Sequence, residues 1–250
     1  LAQLFGALAG SIADMVVRNG PAAGSGAQSA ARVIPPMLAS EFALIVVALA
    51  TPLLANLRLR DALDLRSHRG SVFVAAAVGT IMLGPIGDTL MTELSRLFPS
   101  LTLGVVPTLH ELATHLPLEF LWPTFALLPG IGEELLFRGV LQGALGRTLR
   151  GAFIAGTAFA LFHIDPVHVV GVLPLGLFLS WVAYRSNTLV AMFAHVANNS
   201  IAVISIHSAV LDVGYGTGHT VPGSWLFGSL VVFAVMVAII VQSTRVAVRG

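Results

Sequence analysis

Charge is the scarcest ingredient of this 250-residue chain. Only 10% of its residues are charged, against 56% hydrophobic ones. A soluble domain carries about a quarter charged residues, so this chain cannot cover a water-facing surface. With a mean hydropathy of +0.90 and several long apolar runs, it reads as an integral membrane protein that crosses the bilayer repeatedly. Cysteine is absent, which excludes disulfides, thiolate nucleophiles and thiolate metal sites. Lysine is absent too: every basic residue is arginine. Together with abundant Ala, Gly and Val, this points to a GC-rich coding sequence and to a bacterial inner (cytoplasmic) membrane. The net charge of +1 and the lack of a basic face with interleaved aromatics give no sign of nucleic-acid binding. No cleavable signal peptide is evident. No linker separates a soluble part, so residues 1–250 read as a single integral membrane domain.

Hydropathy predicts an all-α, polytopic transmembrane helical bundle of about eight spans. They fall near 1–18, 33–55, 71–95, 117–149, 151–165, 167–184, 188–208 and 223–243. The fourth is too long for one simple crossing. It reads either as a tilted helix or as two pieces hinged near Pro129-Gly130. The fifth and sixth are short and meet at Asp165-Pro166, where proline forces a turn. Residues 19–32, rich in Gly, Ala and Ser, read as a flexible external loop.

Arginine sets the expected orientation. The 56–70 loop carries Arg58, Arg60, Arg66 and Arg69. Placing it in the cytoplasm also brings Arg147, Arg150, Arg185, Arg245 and Arg249 inside, and leaves Arg18, Arg32 and Arg96 outside. That loop reads as a solvated, topology-setting segment rather than an interfacial helix on anionic lipid.

Against this apolar background one stretch stands out. Residues 130–139, "GIGEELLFRG", hold Glu133, Glu134 and Arg138 inside a hydrophobic run. A charge at the bilayer centre costs roughly 2.5–3.5 kcal/mol even on the lenient insertion scale. On a helix Glu134 and Arg138 are i,i+4 and can pair. Glu133, turned by about 100°, faces another sector and has no local cation. It is protonated, or held by a partner on another helix. Later spans supply candidate partners: His163 ends "FALFH", one turn after Phe159, while His195 and Asn199 share a helix face in "HVANN". A carboxylate, two imidazoles and a carboxamide are the parts needed to activate water and stabilise an oxyanion. Taken singly, each also has a plain structural reading, as an ion-pair clip, a core histidine or interhelical polar glue. From the residues alone, a proton or ion pathway, or a substrate-binding scaffold without catalysis, stays open.

Taken in order, the three segments fit EExxxR, FxxxH and HxxxN. Over roughly 118–205 the chain resembles the CPBP family of intramembrane glutamate endopeptidases, the CAAX-protease and bacteriocin-processing (Abi) proteins. The resemblance implies a peptide hydrolase. Glu133 and His163 would bind and activate the attacking water. Glu134, paired with Arg138, would hold the glutamate helix. His195 and Asn199 would donate to the oxyanion, with Phe159 packed beside His163. It implies no cofactor and a partner that is a protein or peptide with a hydrophobic or C-terminal tail, met within the lipid bilayer. Prenylated CAAX tails, bacteriocin leaders and hydrophobic sorting tails are the implied substrates, the first least expected in a bacterium. A zinc site made of Glu133, His163 and His195 with an open water position is the alternative.

Other polar residues read as secondary. "HELATH", His110 to His115, misses the HExxH zinc spacing by one residue and reads as a loop or short interfacial helix. His168 reads as a solvated turn histidine. Glu41 and Asp88 are intramembrane carboxylates, functional candidates by position, and are expected first to find backbone or water partners near Gly/Pro-broken helices. Asn198 and His207 read as polar glue. Gly6, Gly10, Gly139, Gly143 and Gly146 read as close-packing positions.

Overall fold

A computed structural model describes residues 25–101, 111–112, 116–208 and 221–245. The expected first span at 1–18, Gly6, Gly10, and His110 and His115 of "HELATH" lie outside the described residues. What is described is an all-helical bundle. Its principal elements are α1 (Ser25–Leu54), α2 (Gly70–Leu97), a helical run over 118–145 that we call α3, α4 (Leu149–Leu161), α5 (Pro166–Arg185), α6 (Thr188–Ser208) and α7 (Gly223–Arg245).

The expected count of about eight spans is not supported. Five described helices are long and apolar enough to cross a bilayer: Ile34–Leu54, Gly70–Leu97, Pro166–Arg185, Thr188–Ser208 and Gly223–Thr244. The segment expected at 151–165 is the 13-residue helix Leu149–Leu161. At 1.5 Å per residue it extends about 20 Å, short of the roughly 30 Å hydrocarbon core. The expected loop at 19–32 also needs correction, because α1 begins at Ser25.

The long fourth segment is one helical run, not two pieces hinged at Pro129-Gly130. Its irregularity takes another form: wide π-helical turns at Trp122–Leu127 and Leu135–Leu141 flank the regular segment Leu128–Glu134. Such turns shift the side-chain register without breaking the helix, and they recur at functional sites. Both glutamates end the regular segment, and Arg138 lies within the second wide turn.

α2 is the central post, packed by α5, α6 and α7. Its buried face is built from small residues, among them Ala75, Ala76 and Gly79, against Phe178, Leu179 and Val190. Without a hydrophobic force between helices in lipid, close backbone approach is what makes such contacts favourable. A Cβ at Gly87 would come within 2.7 Å of the Gly171 carbonyl, and one at Gly156 within 2.7 Å of the Gly176 carbonyl. These contacts clamp α2 to α5 and α4 to α5. Large apolar side chains face outward instead: Phe153, Phe193 and Phe227 are exposed, as are Leu54 and Leu230. Close-packed small residues and costly polar groups inside, with bulky apolar side chains also on the outer surface, are the arrangement of a multi-pass integral membrane protein.

Of the glycines expected at packing positions, Gly139 meets Leu63, where a Cβ would lie 2.9 Å from its Cδ2. Gly143 has looser surroundings. Gly146 serves a different purpose: with φ +86 it ends α3 in a conformation L side chains rarely adopt. The turn that follows lies against the 56–70 loop, because Arg147 Nη1 is 3.3 Å from Asp64 Oδ2. The two arginine-bearing segments therefore share one end of the bundle.

Candidate active site

The site forms where α3 passes α6 and α1. Gly130 makes the first crossing possible, since a Cβ there would sit 3.0 Å from the backbone nitrogen of Val196. That approach sets the glutamates, three and four residues on, beside His195. Gly132 makes the second, against the Glu41 carboxyl of α1.

Arg138 is fully buried, and every part of its guanidinium is engaged. Nη1 donates to Glu134 Oε1 at 2.6 Å, Nε to Ser180 Oγ at 3.1 Å and Nη2 to the Gly176 carbonyl at 2.9 Å. Its Cζ stands 4.4 Å over the Phe159 ring, a cation–π contact. One turn further on the same face, Gln142 Nε2 donates to the Ser180 carbonyl at 3.0 Å. The pairing of Glu134 with Arg138 is thus part of a clamp from α3 onto α5. Gly176, Ser180 and Gln142 were not anticipated. Gln142 had a signal, being i+4 from Arg138; Gly176 and Ser180 had none, since their place depends on how α5 packs.

Glu134 Oε1 has a second partner, His195 Nδ1, at 2.9 Å. A carboxylate only accepts, so the proton of this bond lies on Nδ1. The other ring nitrogen, Nε2, faces Glu133 Oε2 at 3.8 Å, too long for a hydrogen bond and short enough for an ion pair. Glu133 is nearly buried, at 7% exposure, and Glu134 is wholly so. One imidazole thus stands between the two adjacent carboxylates, hydrogen-bonded to Glu134 and 3.8 Å from Glu133.

His163 lies in the turn after α4, not within a helix. Its Nδ1 is 3.0 Å from the Phe159 carbonyl. A carbonyl also only accepts, so Nδ1 carries the hydrogen and the Nε2 lone pair of the neutral ring is free. Ile164, which follows, has φ +64, a costly conformation for a β-branched residue. Asp165 then caps α5, accepting from the Val167 nitrogen at 3.0 Å. Phe159 links the two histidines edge-on, with ring centroids 5.0 Å from His163 and 5.6 Å from His195. Its packing beside His163 and beneath Arg138 ties the three motif segments together. Asn199, one turn after His195, accepts from Asn198 Nδ2 at 3.3 Å through its Oδ1; among the described residues no hydrogen bond joins it to either glutamate.

His168 differs from expectation. It is no solvated turn residue: its ring lies edge-on to His163 with centroids 4.7 Å apart, and its Nδ1 is buried. Proline-166 at the helix start and the Asp165 cap turn the first coil of α5 inward, which composition alone does not reveal. Among the described residues no group of three or more His, Cys, Asp or Glu is arranged to hold a metal ion. The zinc set of Glu133, His163 and His195 is therefore not favoured.

Residues 115–201 are similar to the family described as type II CAAX prenyl endopeptidase Rce1-like. That segment begins before α3 and ends within α6, so it contains both glutamates, Arg138, both motif histidines and Asn199. No curated protein and no solved structure matches the chain.

Proposed function

We propose that this protein is an intramembrane endopeptidase that hydrolyses a peptide bond of a membrane-associated or hydrophobic-tailed substrate. The observation that carries this reading is the unequal pair of glutamates sharing one histidine. Glu134 is committed to Arg138 and His195 Nδ1, while the one basic nitrogen paired with Glu133 among the described residues is His195 Nε2, 3.8 Å away. The similarity of 115–201 to a peptidase family supports the same choice of chemistry.

Glu133 is the general base. The attacking water lies between Glu133 and the free Nε2 of His163, and gives its proton to Glu133 as its oxygen bonds to the substrate carbonyl carbon. The carbonyl oxygen becomes an oxyanion. It accepts from His195 Nε2–H and from Asn199 Nδ2. His195 donates to the oxyanion from Nε2 and to Glu134 from Nδ1 when both ring nitrogens carry hydrogen. The Asn198 bond to Asn199 Oδ1 leaves the Asn199 Nδ2 hydrogens for the substrate. Collapse of the intermediate breaks the C–N bond, and Glu133 returns its proton to the leaving amine. No covalent enzyme intermediate forms.

The substrate meets the protein in the bilayer, and a tail with an apolar segment suits that entry. Prenylated tails, as the matched family's description names them, and other hydrophobic C-terminal tails are the candidates to assay. The test is cleavage of tailed peptides by purified protein in lipid nanodiscs, followed by mass spectrometry. We expect cleavage by the wild type and none by Glu133→Gln, with chelator treatment leaving the rate unchanged. Cleavage that persists in Glu133→Gln would remove the general base from the scheme. Loss of activity on chelation with recovery on added zinc would return the zinc alternative. Proton or ion flux in vesicles without any cleavage would favour a pathway instead of an enzyme.

A further inference from the structure

The residue match ends the site at α3, α4 and α6, but a third carboxyl reaches it from α1. Glu41 is 5% exposed. Its Oε2 and its backbone carbonyl lie 3.0 and 3.2 Å from where a Cβ of Gly132 would stand. Gly132 directly precedes Glu133, so the Glu41 carboxyl lies against the backbone that carries Glu133. The Glu41 Oε2 is buried with no hydrogen-bond partner, and among the described residues no cation pairs with this side chain. Glu41 also lies outside the matched segment 115–201.

A charge balance narrows what Glu41 can be. The groups gathered here are the carboxyls of Glu41, Glu133 and Glu134, the Arg138 guanidinium and the His195 imidazole. Arg138 offsets Glu134, and the His195 ring stands 3.8 Å from Glu133. Among the described residues no cation or imidazole stands beside Glu41. An isolated buried carboxylate is costly and takes a proton instead, and two carboxylates sharing a site do not both stay ionised. Between the two, Glu133 has the imidazole and Glu41 has none.

We propose that Glu41 is a positioning residue of this site: a neutral, proton-bearing carboxyl on α1 whose hydroxyl donates to Glu133 through a water and holds that carboxylate toward the substrate. Gly132 is glycine because a side chain there would press on this carboxyl. The role rests on the reading of Glu133 as general base, yet the proton on Glu41 can be observed without any turnover.

The experiment compares Glu41→Gln, which keeps size and a donor, with Glu41→Met, which keeps bulk and has none. Infrared spectra of each protein in nanodiscs, without substrate, report the C=O stretch of protonated carboxyl groups. Turnover of a tailed peptide reports kcat and KM. We expect the wild-type minus Glu41→Gln difference spectrum to show one lost protonated-carboxyl band, which Glu133→Gln retains. Glu41→Gln should keep most of the wild-type kcat. Glu41→Met should lose roughly 10–100-fold in kcat with KM unchanged, the scale of a misplaced catalytic group. An unchanged band in Glu41→Gln, wild-type kcat in Glu41→Met, or a Glu41→Gln variant as inactive as Glu133→Gln would each overturn the proposal. If Glu41→Met does not fold, the spectrum and rate of Glu41→Gln still decide it. If the wild type cleaves nothing, the peptidase reading fails while the band still reports on Glu41.

Discussion

Two sides of the glutamate helix sit one residue apart and differ in nearly every physical respect. On the Glu134 side Arg138 is saturated: Glu134, Ser180, Gly176 and the Phe159 ring surround its guanidinium, and His195 takes what remains of Glu134 Oε1. On the Glu133 side the His195 Nε2 is 3.8 Å away, beyond hydrogen-bond reach, and Glu41, beside Gly132, brings a carboxyl and no cation. Glu134 Oε2 stays buried without a hydrogen-bond partner among the described residues, but a buried ion pair is still a scaffold, because removing either partner strands the other. An under-satisfied buried carboxylate adds nothing to stability, and in a membrane it marks a functional position. The same residue type at adjacent positions is thus divided between holding the bundle and acting on substrate.

The largest effect should come from breaking the saturated side. Glu134→Gln leaves Arg138 as a buried cation with no carboxylate, and breaking such a pair costs about 3–5 kcal/mol. Thermal unfolding in detergent should show a large loss. Arg138→Gln added to Glu134→Gln should recover part of it, whereas Arg138→Gln added to Glu133→Gln should recover nothing. Equal recovery in both backgrounds would mean that the two glutamates are not divided as described.

A smaller effect contrasts the interior of the bundle with its lipid face. Gly156→Ala puts a Cβ 2.7 Å from the Gly176 carbonyl and 2.9 Å from Leu177 Cα, both backbone atoms that cannot step aside. Overpacking of this kind costs about 1–3 kcal/mol. Because α5 carries Gly176 and Ser180, the strain should also loosen the Arg138 clamp, read as a lower midpoint of unfolding. Gly228→Ala has nothing within 4 Å, and in α7 it should stabilise by about 0.5–1 kcal/mol through helix propensity.

The smallest expected effect lies at the bundle's arginine-bearing end. Asp64→Asn removes the carboxylate that lies 3.3 Å from Arg147 and 3.4 Å from Arg66. Both arginines are partly or mostly exposed, and such pairs are worth about 0–1 kcal/mol. Unfolding should shift by no more than that, and peptide cleavage should be unaffected. A loss of cleavage here would tie the 56–70 loop to the site through α3.

What the sequence could reveal follows from how local each feature is. Glu134 and Arg138 are i,i+4, so their pairing was legible in ten residues. His163, His195 and Asn199 were legible as costly polar groups in apolar surroundings. The sharing of Glu134 Oε1 by Arg138 and His195 was not, since it depends on the close passage of Gly130 against Val196. Glu41 was recognisable as an intramembrane carboxylate, but its place beside Gly132 needs the packing of α1 on α3. The span count is unsupported for a different reason. Hydropathy measures apolar length, and among the described residues the 13-residue α4 and the irregular α3 do not form long apolar helices of the kind that cross a bilayer. His168 failed because the inward turn of α5 is set by the Asp165 cap and the strained Ile164, neither of which alters hydropathy.

The division between the two glutamates is tested most directly by measuring turnover and thermal unfolding on the same preparations of Glu133→Gln and Glu134→Gln. Glu133→Gln should lose at least the roughly 10²–10⁴-fold attributed to a general base, while its unfolding midpoint stays at or above that of the wild type, because a poorly compensated buried carboxylate has been replaced by a neutral amide. Glu134→Gln should unfold well below the wild type. A stable, inactive Glu134→Gln beside a destabilised Glu133→Gln would contradict the account and reverse the two roles.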